Sequence, residues 1–295
     1  MNQLAFSNIE SLPRRERQPL KSQLLKWIGN KQRFAHEIAL FFPDYFNTYI
    51  EPFLGSGAVL ATLAPKRGIG ADYFRPLVEI WQTLKDSPTT LLSWYTERWQ
   101  MMAEGPKVEM YERIKASFNE NPNGADLLFL SRSCYGGVVR FRKHDGYMST
   151  PCGIHTPITP AAFAKRVALW RHRVRGCDFL LSDYKETMRR AEAGDLIYCD
   201  PPYSYSQGIL YGAQDFKLQD LFAEIERCAA KGVNVVLSID GSKQSGNFVC
   251  NIEIPAGLFK REVLVNVGRS MLKRFQMNGK SLENEIVKDR LLLTY

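Results

Sequence analysis

The chain has 295 residues but only 4 histidines, and none of its 6 cysteines falls into a Cys-x-x-Cys pair. The histidines do not cluster near the cysteines, which argues against a zinc centre. No apolar run approaches the length of a membrane span. No apolar h-region follows the charged start at Arg14, Arg15 and Arg17. A membrane or secreted protein is therefore not expected, and Cys134, Cys152, Cys177, Cys199, Cys228 and Cys250 read as reduced thiols of a soluble cytoplasmic protein. A complete Gly-x-Gly-x-x-Gly is also missing, so the signal for a bound dinucleotide is weak. Internal repeats are absent. Disorder throughout is excluded by an ordinary apolar content of 45%.

What is present is positive charge. Lys and Arg number 39 against 31 Asp and Glu, a net charge of +8, which suggests an acidic partner such as nucleic acid. The length allows one large α/β domain or a domain carrying an insertion. Residues 1–20 are polar and proline-punctuated and read as a flexible arm. Strand signals follow at Tyr49–Phe53 and Gly68–Asp72, then at Phe179–Asp183, Asp195–Asp200 and Val233–Ser238, around Val263–Val265, and at Arg290–Thr294. Between about residues 75 and 175 the pattern is helical, with Leu91, Leu92, Trp94, Tyr95 and Trp99 as core candidates. That stretch holds a glycine- and proline-rich loop, residues 136–160, too long for a simple connection. A basic helix follows from Pro160. The expected architecture is one α/β sheet interrupted by a mostly helical insertion.

Two motifs carry chemistry. Asp200-Pro201-Pro202-Tyr203 follows the apolar strand Leu196–Cys199. The prolines remove two backbone donors and leave carbonyls beside the Asp200 carboxylate, and Tyr203 adds an aromatic face. Together they suit an exocyclic amino group held by two acceptors over a stacked ring, as on an extruded adenine or cytosine. The plain alternative is a strand-to-loop turn. Glu51-Pro52-Phe53-Leu54-Gly55-Ser56-Gly57 is a glycine turn between strand and helix, where Gly55 and Gly57 admit a close ligand. It suits a ligand whose tail is an amino acid rather than a diphosphate. Asp72 ends the next strand at a spacing that suits ribose hydroxyls, and Asp183 ends another and can meet an adenine amino group. Helix capping is the alternative for both. Trp27 and Lys31, in Lys26-Trp27-Ile28-Gly29-Asn30-Lys31, can cover a ligand and neutralise a carboxylate.

In this order, the Trp27–Lys31 segment, the Gly55-Ser56-Gly57 turn, Gly70-Ala71-Asp72 and Asp200-Pro201-Pro202-Tyr203 resemble the Dam-like, or D12 class, DNA adenine-N6 methyltransferases, from about residue 24 to the C-terminus. The resemblance implies an S-adenosylmethionine-dependent methyltransferase (Rossmann-like) α/β sheet. Residues 21–75 and 176–295 would form the catalytic, cofactor-binding domain and residues 76–175 an inserted helical target-recognition domain. It implies Asp200, Pro201 and Tyr203 around the target base, and Trp27, Lys31, Phe53, Gly55, Gly57, Asp72, Asp183 and Asp200 around S-adenosyl-L-methionine. Transfer to N6 of a flipped adenine in double-stranded DNA is the expected activity. An RNA adenine, a cytosine N4 or a silent DNA-binding relative are the alternatives. The sequence departs from the family at Gly29-Asn30, where Gly-Gly is usual, and at Ile239–Lys243, where an Asn-containing turn is usual.

Arg140, Arg142 and Lys143 lie in a basic run of the long loop, and Lys165, Arg166, Arg171, Arg173 and Arg175 follow on the basic helix. These, with Arg269 late in the chain, are the expected DNA contacts; a solvated basic face is the alternative. Expected partners are double-stranded DNA and, for a restriction-modification role, a cognate endonuclease, with the protein a monomer or weak dimer. Association with the nucleoid would follow from DNA binding.

Overall fold

A computed structural model describes residues 19–202, 216–240, 253–268 and 287–295. In chain order its helices and strands are α1 (Ala35–Ile38), β1 (Tyr49–Glu51), α2 (Ala58–Leu63), β2 (Gly68–Asp72), α3 (Arg75–Asp86), α4 (Pro88–Glu104), α5 (Lys107–Glu120), α6 (Gly124–Ser133), α7 (Pro160–Val174), β3 (Cys177–Leu181), α8 (Tyr184–Arg189), β4 (Leu196–Cys199), α9 (Leu218–Ala230), β5 (Asn234–Asp240), β6 (Arg261–Gly268) and β7 (Val287–Leu293). Local chemistry starts several helices. Pro88 and Pro160 open α4 and α7, where a missing N–H costs nothing. Asn123 caps α6 by accepting the Asp126 N–H at 2.8 Å.

The strands form one seven-stranded sheet in the order β3-β2-β1-β4-β5-β7-β6. The first five are parallel neighbours, and β7 runs antiparallel between β5 and β6. Ile50 pairs with Ile69 on one side and Ile197 on the other. Strand order therefore reverses at β1 and β4, and a crevice opens beyond their C-terminal ends, where α/β sheets bind ligands.

Each sheet face has its own apolar core. Ile50, Ile197, Val235 and Leu237 pack with Met188 of α8 and Leu221 and Ile225 of α9. Tyr49, Tyr198 and Phe179 face the other way, among the residues of α3, α4 and α7. There Trp81 of α3 lies 5.7 Å from Phe179 and 5.6 Å from Trp170 of α7. Tyr95 of α4 stacks on Phe163 of α7 at 4.1 Å. Helices α3 to α7 all lie between β2 and β3 in the chain, yet α3 also touches the sheet and α7 is fastened to α2. Gln82 donates to the Phe179 carbonyl at 2.9 Å, and Arg173 donates to the carbonyls of Ala61 and Thr62.

Two expectations change. Leu20, at the end of the expected loose arm, is buried, and its carbonyl accepts from the Gln32 amide. The loop after α6 also contains a short finger. Phe141 bridges Met148 in antiparallel fashion, and Arg142 N–H donates to Tyr147 at 2.9 Å. Gly146, at φ +68°, makes the turn. Such brief pairing leaves no alternation for a sequence to display.

Candidate active site

A cavity of about 540 Å³ opens at the switch point, within the usual size range of small-molecule sites. Its wall takes Glu51, Phe53 and Gly55 from the end of β1, Asp72 and Phe74 from the end of β2, Asp183 and Tyr184 after β3, and Asp200 and Pro202 after β4. Trp27 and Lys31, from the segment before α1, close another side. Seven of the residues expected at the cofactor thus line one cavity: Trp27, Lys31, Phe53, Gly55, Asp72, Asp183 and Asp200. Gly57 and Pro201 do not line it. Tyr203 lies outside the described residues, as does the Gly241–Lys243 part of the departing turn.

One end of the cavity is charged and largely buried. Lys31 Nζ lies 3.2 Å from Asp200 Oδ1, with the lysine 6% exposed. Beside them Glu51 is 3% exposed. Its Oε2 accepts from the Tyr49 hydroxyl at 2.9 Å and from Leu60 N–H at 3.0 Å. Burial pushes the Glu51 carboxyl up to about 8, the Asp200 charge adds to the rise, and the two hydrogen bonds oppose it. At neutral pH this end therefore holds a protonated acid next to an ion pair.

The glycine turn owes its shape as much to tryptophan as to any ligand. Gly55 and Gly57 sit at φ +48° and +58°. A Cβ on Gly55 would come within 3.3 Å of Trp27 Cδ1, and one on Gly57 within 2.9 Å of Trp81 Cη2. Trp81 Nε1 donates to the Gly55 carbonyl at 3.1 Å. Asp72 fastens the same turn, since its two oxygens accept from Gly55 N–H and Phe74 N–H, each at 3.0 Å. Burial raises the Asp72 carboxyl, and the backbone N–H groups pull it back. Asp183 is an N-cap, accepting Lys185 N–H at 2.8 Å. Asp183 thus combines capping with cavity lining, whereas Asp72 combines lining with a turn and caps no helix.

The other end is aromatic. Phe53 stacks on Tyr184 at 5.1 Å and meets Phe216 edge-on at 5.8 Å. Behind it Lys185 pairs with Asp220 at 2.8 Å. Trp27 stacks on Phe74 at 6.2 Å, and Phe74 meets Phe141 of the finger edge-on at 5.5 Å. Glu51, Phe74, Tyr184 and Phe216 are among the wall residues that motif reasoning did not assign to the site. The available signal was an acid with an aromatic one or two places on, Asp72 with Phe74 and Asp183 with Tyr184.

Arg140, Arg142 and Lys143 are exposed on the finger. Arg142 lies 4.1 Å over the Tyr147 ring and pairs with Asp145 at 2.9 Å. Two cations expected at DNA are instead turned inward: Arg166 donates to the Gln23 carbonyl at 2.7 Å, and Arg173 is spent on α2 as above. Helix packing placed them on the buried side of α7, which a charge count does not show. Arg269 lies outside the described residues.

The strand order, with its antiparallel β7 and a cavity at the β1/β4 switch point, defines the S-adenosylmethionine-dependent methyltransferase fold class. Among the described residues no helix is long and apolar enough to cross a membrane. Residues 27–252 match the D12 class N6 adenine-specific DNA methyltransferase family. The chain belongs to that family. Similar proteins include a DNA adenine methylase of Vibrio cholerae, 27% identical over 72% of this chain and 79% of that one. A Type II methyltransferase of Lactococcus lactis is 25% identical over 74% and 80%. A DNA adenine methylase of Haemophilus influenzae is 28% identical over 78% and 85%.

Proposed function

We propose that this protein moves the methyl group of S-adenosyl-L-methionine to N6 of an adenine turned out of double-stranded DNA. The observation that carries it is the cavity that joins the Gly55 turn to the Lys31–Asp200 pair. The residues fit the donor. Aromatic rings at Phe53, Tyr184 and Phe74 suit a purine, and Asp72 and Asp183 keep lone pairs for hydroxyl and amino hydrogens. When bound, the donor supplies a methyl group already activated on a sulfonium sulfur.

The chain's own residues then have to present the amine. The N6 lone pair of adenine is delocalised into its ring, so the amine is a poor nucleophile. The Asp200 carboxylate and the Pro201 carbonyl accept its two hydrogens and favour tetrahedral nitrogen, localising the lone pair. Asp200 stabilises the positive charge that grows on N6, in a site where low dielectric strengthens the effect. Lys31 orients the Asp200 carboxylate. Tyr203 stacks on the base, a contact worth roughly 1–3 kcal/mol. Turning the base out costs a few kcal/mol in lost stacking and pairing, which backbone contacts from the finger offset. Residues 76–175 act as the target-recognition part, with Arg140, Arg142 and Lys143 at the phosphates and base edges.

Nucleoside mass spectrometry of unmethylated duplex DNA, incubated with the protein and S-adenosyl-L-methionine, tests this. N6-methyladenine is the expected product. N4-methylcytosine would move the target but keep the chemistry, and an unmodified digest despite measured donor binding would overturn the assignment.

A further inference from the structure

We propose that Cys134 and Cys152 form a redox-modifiable pair, able to close a disulfide across the base of the finger. The two residues face each other in an isolated antiparallel bridge. Tyr135 N–H donates to the Pro151 carbonyl, and Gly153 N–H to the Ser133 carbonyl, each at 2.8 Å. These bonds flank the cysteines instead of joining them, so Cys134 and Cys152 occupy the narrow, non-hydrogen-bonded position of the ladder. Such pairs have Cα atoms about 4.5 Å apart with side chains on one face. Disulfides span Cα separations of about 4.4–6.8 Å, so side-chain rotation alone can bring the sulfurs together.

Both thiols are free in the structure, and directly opposed residues of an antiparallel bridge put their side chains on one face of the ladder. Their exposure differs: Cys134 is buried and Cys152 is half-buried. Burial raises both thiols, while Lys107 and Lys115 partly offset the rise at Cys152. Cys152 is accordingly the thiol an oxidant meets first. Hydrogen peroxide would convert the Cys152 thiol to sulfenic acid, releasing one water. The Cys134 sulfur then attacks that sulfur, forming the S–S bond and expelling the hydroxyl with the Cys134 proton as a second water. Two electrons pass from the thiols to the peroxide. Among the other described cysteines, Cys177, Cys199 and Cys228 are buried elsewhere.

The staple would close a loop from residue 134 to 152 that contains Arg140, Arg142 and Lys143. It would therefore restrict the finger while leaving the cavity wall untouched. The test treats the folded full-length protein with hydrogen peroxide, blocks remaining thiols with iodoacetamide, and maps peptides by mass spectrometry. A linked peptide carrying Cys134 and Cys152, lighter by two hydrogens and split by dithiothreitol, is expected. Cys152→Ser should lose that peptide while keeping the wild-type circular dichroism spectrum. Recovery of both cysteines as separate alkylated peptides, at peroxide levels that oxidise other thiols of the chain, would overturn the proposal. So would a link from either one to Cys250 in preference. Both readouts are independent of the assigned methyl transfer.

Discussion

The Lys31–Asp200 end of the cavity and the basic finger carry much of the chain's functional charge in opposite ways. Lys31 and Glu51 are buried and Asp200 is half-buried; Lys31 pairs with Asp200, whose charge acts in turn on Glu51. Arg140, Arg142 and Lys143 stand in water, where salt screens them within about 10 Å. A buried charge is strong and position-sensitive, because the low dielectric magnifies every contact. An exposed one is weak alone and acts by summation with its neighbours. One substitution should therefore abolish function at the cavity, whereas the finger should fail by degrees.

The largest expected effect comes from Asp200→Ala. Methyl transfer should fall by about 10³-fold or more, while donor affinity and DNA affinity change far less. Single-turnover transfer of labelled methyl is the check, and a loss below tenfold would erase the contrast between the two regions. Next is Glu51→Gln. The wild-type carboxyl titrates near 4.5 in the unfolded chain and at about 8 when folded. The folded state thus holds more protons between those values, and Glu51's contribution to stability, full below pH 4.5, is lost as pH rises through 8. Its share is at most ~1.4 kcal/mol per pH unit in that window. The Gln variant should show a flatter profile in urea melts at several pH values.

Gly57→Ala should cost roughly 1–3 kcal/mol, the usual penalty for a non-glycine residue held at positive φ, with the Trp81 contact adding to it. A lower urea midpoint at unchanged m-value would show it. At the finger, Arg140→Ala should reduce the slope of log K against log salt by about 0.9 for each phosphate that the arginine neutralises. Arg142→Ala should do less, because Asp145 and Tyr147 already engage Arg142. Equal slopes for wild type and both variants would argue for a merely solvated face. The smallest effect is where the regions touch. A double-mutant cycle with Phe74→Leu and Phe141→Leu should return a coupling of about 0.5–1.5 kcal/mol in stability, and additive losses would mean the edge contact contributes nothing.

Much of this was legible in the residue order. All seven strands overlap strand signals of the sequence, and β4 stands out because a strand buried on both faces is nearly continuously apolar. The basic helix begins at Pro160, and Leu91 and Tyr95 are fully buried, as their spacing in α4 requires. The finger and the inward turn of Arg166 and Arg173 were not legible. Two-residue ladders have no periodicity, and charge carries no record of which helix face will be covered.

By itself, the sequence determined the chemistry available to this protein: an acid followed by two prolines, a turn only glycine can make, and an excess of positive charge. Residue type sets donors, acceptors and allowed backbone angles without reference to distant parts of the chain. The tertiary structure alone decided which of these meet. Lys31 reaches Asp200 across 169 positions of sequence, and Glu51 becomes a proton-holding acid because the sheet removes it from water. Gly57 turns toward Trp81 instead of the cavity. Proximity and burial are properties of the packed chain, and they convert ordinary side chains into a site.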